Sequence, residues 1–167
     1  MRLEGMEIRR MQAGDVPGVV DIERRAFAMA WTCEMFLKEI AASADSVPLV
    51  MHLEGRLVAY AILWRVGRRF HVANIAVDER YQRRGLGTLL IRRVFEEALK
   101  RDCSRVSLET RVSNRVAINL FRKVGFRTVT VSHGYYTDND EDALVMVRAI
   151  GKAVQCGKPS PKQSVRV

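Results

Sequence analysis

Long apolar runs, cysteine pairs and clustered histidines are scarce in this sequence, and each shortage excludes a class of protein. No apolar stretch approaches the roughly 20 residues of a membrane-spanning helix. The first residues lead into charged positions without the apolar core of a signal peptide. We therefore expect a soluble, cytoplasmic protein with no membrane partner.

The three cysteines, Cys33, Cys103 and Cys156, are far apart, and none belongs to a C-x-x-C pair. Only three histidines are present. These features support neither a disulfide framework nor a zinc site, so we expect free thiols and no metal.

Positive charge dominates, with a formal net charge of +9. Residues 151–167 contain basic side chains, no acidic ones, and many Gly, Pro and Ser residues without periodicity. We predict a disordered basic tail over 151–167 and a single domain over 1–150, because a chain of this length forms one core more readily than two. The tail either attaches the protein to an RNA-rich partner such as the ribosome or only aids solubility. The lack of aromatic residues between its lysines favours solubility, and the diffuse charge elsewhere argues against a specific nucleic-acid partner.

Hydrophobic periodicity predicts an α/β sandwich of the order β-α-α-β-β-β-α-β-α-β-β. Asp15 and Thr32 are predicted to cap the first two helices. A long third helix is predicted to end near Asp102, and a fourth runs from Asn114 to Gly125. The predicted strands cover 6–11, 48–53, 57–66, 70–77, 105–110, 128–132 and 143–148, with a polar loop over 134–142.

The segment Gln82-Arg83-Arg84-Gly85-Leu86-Gly87 lies between a predicted strand and a predicted helix. Glycines let the backbone approach an anion, and the free N–H groups of a helix N-terminus point toward it. The arginines add positive charge, so the segment suits a pyrophosphate. An ordinary tight turn with solvated arginines is the alternative. A Rossmann fingerprint fits poorly because its third glycine would fall at Leu90, and a P-loop is excluded because no G-K-[ST] is present.

This Q-x-x-G-x-G segment, following I-A-V-D at 75–78, resembles the coenzyme A motif of the GNAT superfamily of N-acetyltransferases. Later segments resemble the RimI/Ard1 group of protein N-terminal α-acetyltransferases, and the resemblance covers about residues 6 to 150. It implies the GNAT fold: a central, mixed and mostly antiparallel sheet of about seven strands flanked by about four helices. It also implies acetyl-CoA as cosubstrate. The later segments are L-E-T-R-V-S-N at 108–114, A-I-N-L-F at 117–121, G-F at 125–126, G-Y-Y at 134–136 and E-D-A at 141–143.

The resemblance implies roles for particular residues. Glu109 would be the general base and His71 would assist it through a water; a solvated strand glutamate and a structural histidine are the alternatives. Asn114 would bind the pantetheine arm, cap a helix, or do both. The implied acetyl-CoA site consists of Ile75, Ala76, Val77, Gln82, Arg83, Arg84, Gly85, Leu86, Gly87, Thr88, Asn114, Asn119, Phe121 and Lys123. The implied peptide site consists of Phe27, Met29, Trp31, Tyr135 and Tyr136, whose aromatic members otherwise serve packing.

Phe121 departs from the RimI-like pattern, in which a tyrosine at this position is proposed to protonate the leaving thiolate. Phenylalanine has no proton to give. Three outcomes remain open: another group supplies the proton, solvent supplies it, or the chain is slow or inactive.

These observations predict an N-α-acetyltransferase of protein or peptide N-termini, acting on a ribosomal protein or on a broader set, as a monomer or weak dimer. An α-amino group, with a pKa of about 7.7–8.0, is more readily neutral near pH 7 than a lysine, at about 10.4. One alternative is a GNAT enzyme acting on lysines or small-molecule amines. The other is a non-catalytic, acetyl-CoA-binding module associated with the ribosome.

Overall fold

The computed structural model describes residues 5–151, so the predicted disordered tail beyond residue 151 and Cys156 lie outside the described residues. Within them, seven strands and four α-helices follow the predicted order. The strands are β1 (Met6–Arg10), β2 (Leu49–Leu53), β3 (Arg56–Val66), β4 (Arg69–Val77), β5 (Arg105–Arg111), β6 (Arg127–Tyr136) and β7 (Glu141–Ala149). The helices are α1 (Val16–Ala26), α2 (Cys33–Ala41), α3 (Leu86–Leu99) and α4 (Arg115–Lys123).

The strands form one sheet in the order β1-β2-β3-β4-β5-β7-β6. Every neighbouring pair is antiparallel except β4 and β5, which are parallel because α3 connects them as a crossover. The prediction of a mixed, mostly antiparallel sheet of seven strands with four helices is confirmed.

Helices cover both faces of the sheet. Leu90 and Val94 of α3 belong with Val106 of β5 to one core cluster. Val19 of α1 and Phe36 of α2 belong to a second cluster on the other face. The central strand β3 supplies residues to both clusters, so positions 58–63 are all buried rather than alternating. None of the helices within residues 5–151 has the length and apolar character needed to cross a bilayer.

Asp15 occupies the N-cap position of α1 as predicted, but its side chain accepts no hydrogen bond from this helix. Its carboxylate instead accepts hydrogen bonds from Arg9 and from the backbone N–H of Gln12, which holds a short 3-10 turn before the helix. Thr32 caps α2 as predicted, because its hydroxyl accepts from the N–H of Met35.

The predicted polar loop over 134–142 is wrong at both ends. β6 continues through Gly134 to Tyr136, and β7 already begins at Glu141. Pairing between Tyr136 and Glu141 extends the hairpin, which leaves only a short turn between the strands. The long third helix ends at Leu99 rather than near Asp102.

Candidate functional site

A gap opens in the middle of the sheet between β4 and β5. The two strands pair only from Arg69 to Val72 on β4 and from Arg105 to Leu108 on β5. Ala73 is an extra residue on β4, because Leu63 of β3 pairs with Val72 while Ile62 pairs with Asn74. Such a bulge bends a strand and increases its twist. Beyond it β4 keeps β3 as its partner and β5 keeps β7, so the gap exposes a strand edge of β4.

Two cavities meet at this gap. Six residues line both of them, and the set includes Ile75 of β4 and Phe121 of α4. Each cavity lies within the size range of roughly 300–1,000 Å³ that is common for small-molecule sites. The shared set is Ala26, Phe27, Ile75, Asn114, Ala117 and Phe121.

The first of these, which we call the basic cavity, has a volume of about 690 Å³ and lies between β4, α3 and α4. Its charged lining residues are Arg25, Arg83 and Lys123 against Glu79. This excess of positive charge favours an anionic ligand in the basic cavity.

The N-terminus of α3 forms the floor of the basic cavity. Gly85 precedes the helix in a left-handed conformation with φ of +80°, which an L side chain rarely adopts. The first helical hydrogen bond runs from the N–H of Leu89 to the carbonyl of Gly85. The N–H groups of Leu86, Gly87 and Thr88 therefore precede the helical hydrogen-bond ladder and point to the cavity with the positive end of the helix dipole.

Gly87 has a different reason to be glycine. A Cβ atom at this position would lie 3.0 Å from Cδ2 of Leu120, so its absence lets α4 approach α3 closely. At Gly85 no atom lies within 4 Å of the position that a Cβ would occupy, which leaves open space in front of the turn.

Asp78 holds the segment between β4 and this turn. Its buried carboxylate accepts hydrogen bonds from the side chain and backbone of Arg80 and from Arg25. The Arg80 guanidinium, with help from Arg25, lowers the pKa of Asp78 to about 2. The same contact orients Arg25, which lines the basic cavity.

The structure brings most of the predicted acetyl-CoA residues to the basic cavity and leaves two outside its lining. Arg84 lies over the ring of Tyr81 and hydrogen-bonds the carbonyl of Arg80. Asn119 is the second outside residue. Asn114 lines both cavities while its side chain caps α4 by accepting from the N–H of Ala117. The residues that line the basic cavity are Ile75, Ala76, Val77, Gln82, Arg83, Gly85, Leu86, Gly87, Thr88, Asn114, Phe121 and Lys123.

The second cavity, which we call the acidic cavity, has a volume of about 610 Å³ on the other side of the gap. Its charged lining residues are four carboxylates against one Arg111. In a chain of net charge +9, this local excess of negative charge favours a cationic ligand. The four carboxylates are Glu23, Glu109, Asp138 and Glu141.

Glu109 lies at the centre of the acidic cavity. It projects from β5 on the face opposite the buried side chains of Val106 and Leu108. An oxygen of its carboxylate lies 3.2 Å from Nε2 of His71, and Nδ1 of His71 lies 3.0 Å from the hydroxyl of Ser107. The predicted base Glu109 and its predicted assistant His71 are thus in direct contact, and the hydroxyl of Ser107 lies next to the other nitrogen of the imidazole.

The predicted peptide residues all line the acidic cavity. Phe27, Met29 and Trp31 follow α1, and Tyr135 and Tyr136 end β6 with their rings 5.1 Å apart. Burial raises the pKa of Tyr135 and raises that of Tyr136 to about 12, so both hydroxyls stay protonated near neutrality.

Arg111 fixes the end of the β6–β7 hairpin at the rim of this cavity. Its guanidinium binds both oxygens of Asp138 at 2.8 Å and an oxygen of Glu141 at 3.0 Å. It also stacks 3.9 Å from the ring centre of Tyr136. Ser113 and Arg111 lower the pKa of Glu141 to about 2, and Arg111 lowers that of Asp138, so both carboxylates are ionised.

Sequence reasoning missed Glu23, whose buried carboxylate lines the acidic cavity. A signal was present, because Glu23 continues the apolar helical stripe of Val16, Val19 and Val20 at i+7. A carboxylate on such a stripe is either solvated at the helix end or buried with partners. Arg111 was missed as well, although it shares a strand face with Glu109.

Comparison with known protein families matches residues 16–126 to the Acetyltransferase (GNAT) family. The chain is similar to the [ribosomal protein bS18]-alanine N-acetyltransferase of Escherichia coli K12, with 35% identity over 145 residues, 86% of this chain and 97% of that protein.

Solved structures give the same result. The crystal structure of the ribosomal-protein-S18-alanine N-acetyltransferase from Escherichia coli matches with a TM-score of 0.81 and 33% identity, over 90% of this chain and 97% of that one. The crystal structure of Ard1 from Thermoplasma volcanium matches with a TM-score of 0.82 and 25% identity, over 89% of this chain and 99% of that one.

Proposed function

The chain belongs to the acetyltransferase (GNAT) family, and from that premise we propose that it transfers the acetyl group of acetyl-CoA to the free α-amino group of protein N-termini. The observation that carries this function is the meeting of a basic and an acidic cavity at the gap between β4 and β5. An anionic cosubstrate and a cationic amine then approach the same point from opposite sides.

The basic cavity takes the coenzyme. Its pyrophosphate accepts from the N–H groups of Leu86, Gly87 and Thr88, and Arg83 adds opposite charge. The pantetheine arm runs past Asn114 toward Ile75, where the unpaired edge of β4 offers backbone N–H and C=O groups to its amides. One N–H of this edge polarises the thioester carbonyl and stabilises the negative charge that develops on its oxygen.

The acidic cavity takes the peptide N-terminus. Its carboxylates attract the α-ammonium, and Glu109 removes a proton either directly or through a water, with His71 holding the carboxylate in place. The neutral nitrogen attacks the thioester carbon, the C–N bond forms, and the C–S bond breaks to release the thiolate of coenzyme A. Glu109 gives the first proton to solvent before the attack, then accepts the second proton, which the nitrogen loses as the amide forms, and passes it to solvent as well.

Protonation of the thiolate does not use Phe121, which lies between the two cavities and packs against Phe126. Because a thiol ionises far more readily than an alcohol, the thiolate is an adequate leaving group without a proton donor. We propose that solvent protonates it after release.

The partners proposed for this site are protein N-termini, including those of ribosomal proteins, because the E. coli relative carries that substrate in its name. The first residues of the peptide pass between the segment from Phe27 to Trp31 and the tyrosines of β6.

A matched pair of peptides tests the proposal. One carries a free N-terminus and no lysine, and the other has a blocked N-terminus and an internal lysine. Incubation with acetyl-CoA followed by mass spectrometry is expected to show a gain of one acetyl group on the first peptide alone. Acetylation of the lysine peptide or of a polyamine alone would support a different amine substrate. Binding of acetyl-CoA with no transfer to any amine would support a non-catalytic module.

A further inference from the structure

Glu23 is a buried carboxylate to which the proposed proton transfer assigns no role. It lies in the last turn of α1, is 1% exposed, and forms part of the wall of the acidic cavity. Within residues 5–151 it has no salt-bridge partner. Burying a carboxylate without a counter-charge has a desolvation cost of roughly several kcal/mol, so hydrogen bonds must stabilise this group.

Three neutral donors surround this carboxylate. One oxygen accepts from the backbone N–H of Trp31 at 2.8 Å. The other accepts from the side-chain amide of Asn74 at 3.1 Å and from the hydroxyl of Tyr60. Burial and the carboxylate together raise the pKa of Tyr60, so this hydroxyl remains a donor.

These donors belong to three separate parts of the site. Tyr60 is on β3, and Asn74 is on β4 directly after the bulge at Ala73. Trp31 ends the segment that connects α1 to α2, which we call the loop 27–31. Glu23 therefore ties this loop to the strand whose edge faces the gap.

The loop 27–31 has few other restraints. The N–H of Phe27 ends α1 by bonding to the carbonyl of Glu23 itself. Met29 is 63% exposed, so its side chain adds little packing. The ring of Trp31 packs on Phe36 and Trp64, which fixes the far end of the loop next to the bond to Glu23.

We propose that Glu23 is a positioning residue for the acceptor peptide: it fixes the loop 27–31 at the distance from the β4 bulge that the backbone of a peptide N-terminus requires. This inference rests on the proposed function, because it concerns the acidic cavity as a peptide site. Glu23 acts through Trp31 and Asn74 and does not itself handle the transferred proton. Glu23 itself does not line the basic cavity, and of the loop 27–31 only Phe27 does, so we expect a small effect on coenzyme binding.

The experiment compares Glu23→Ala and Glu23→Gln with wild type in steady-state peptide acetylation. We expect Glu23→Ala to raise the KM for the peptide about tenfold or more, the effect of losing charge-assisted hydrogen bonds, with a smaller change in kcat. Glu23→Gln keeps an acceptor for the N–H of Trp31 and is expected to recover part of the loss. The Kd of acetyl-CoA is expected to stay within twofold of wild type.

Hydrogen exchange separates positioning from a general loss of stability. Glu23→Gln keeps the side-chain shape. We expect its backbone amides to exchange faster than those of the wild type in the loop 27–31, while the exchange rates in β3 and β7 stay the same. Glu97→Gln is the matched control, because Glu97 is also a buried carboxylate but pairs with Arg93 of α3 and with Arg101 just after the helix, away from both cavities. It is expected to lower stability without changing the peptide KM.

Two results would overturn the proposal. One is a peptide KM within twofold of wild type in both Glu23 variants. The other is an equal rise of the peptide KM in Glu97→Gln. Failure of the wild-type protein to acetylate any peptide would instead contradict the proposed function, so the two failures are distinguishable.

Discussion

Replacing Glu109 by glutamine tests the proposed base with little disturbance of the fold. The two side chains have the same shape, and the Glu109 side chain is 21% exposed, so the amide stays solvated and still reaches His71. We expect a change in the free energy of unfolding of less than about 1 kcal/mol, as for a partly exposed ion pair.

The expected loss of activity follows from the proton that Glu109 removes. A positioned base contributes roughly 10²–10⁴-fold, or about 3–5 kcal/mol in activation free energy. An α-amino group with a pKa near 8 is only about one-tenth neutral at pH 7, so about tenfold of the loss reflects this equilibrium. We expect Glu109→Gln to lower kcat/KM about 100-fold at pH 7 and about tenfold at pH 9, where the amine is already neutral.

The assay measures acetylated peptide by mass spectrometry at saturating acetyl-CoA, which avoids thiol reagents that also react with the exposed Cys33. Glu96→Gln, on the exposed face of α3, is the control for loss of a carboxylate away from the gap. A loss below threefold at pH 7, with an unchanged Kd for acetyl-CoA, would refute the assignment of Glu109. A loss that is the same at pH 7 and pH 9 would show that Glu109 does not act on the ammonium.

Three further predictions concern the basic cavity and its support. Phe121→Tyr is expected to raise kcat no more than about tenfold, measured under saturation, because solvent already protonates the thiolate; a larger gain would show that thiolate departure limits turnover. Gly85→Ala and Gly55→Ala are each expected to cost about 1–2 kcal/mol by denaturant unfolding, since both glycines have positive φ and open space, but only Gly85→Ala should weaken acetyl-CoA binding. The folded-state pKa of Asp78 is about 2, below its unfolded value, so its ionised form stabilises the fold by about 2 kcal/mol above roughly pH 4. This stabilisation is lost as the pH falls toward 2. In urea unfolding, the free energy of unfolding of Asp78→Asn should therefore fall less over this pH range than that of the wild type.

The local pattern of the sequence predicted the elements of the fold because each depends on near neighbours. Alternating and helical spacing of apolar residues defined all seven strands and four helices in order. The turn before α3 was recognisable because Gly85 and the first free amides of a helix act within a few residues. The sequence placed Asp15 correctly before α1 but not the bond of its side chain, and the prediction for Gly134 to Tyr136 was wrong. Both outcomes depend on partners elsewhere, because the carboxylate of Asp15 binds Arg9 and pairing with β7 extends β6.

The sequence by itself determined the order of elements, the anion-binding turn and the family resemblance, because these depend on residue types at short spacing. Only the tertiary structure decided that β4 and β5 separate after Val72, since a bulge and the choice of partner strands are non-local. The parallel pairing just before that point brings Glu109 close to His71 of the neighbouring strand, and the two cavities of opposite charge meet at the gap that the separation leaves. The tertiary structure also buries Glu23 among donors from three elements, and no spacing along the chain specifies such an arrangement.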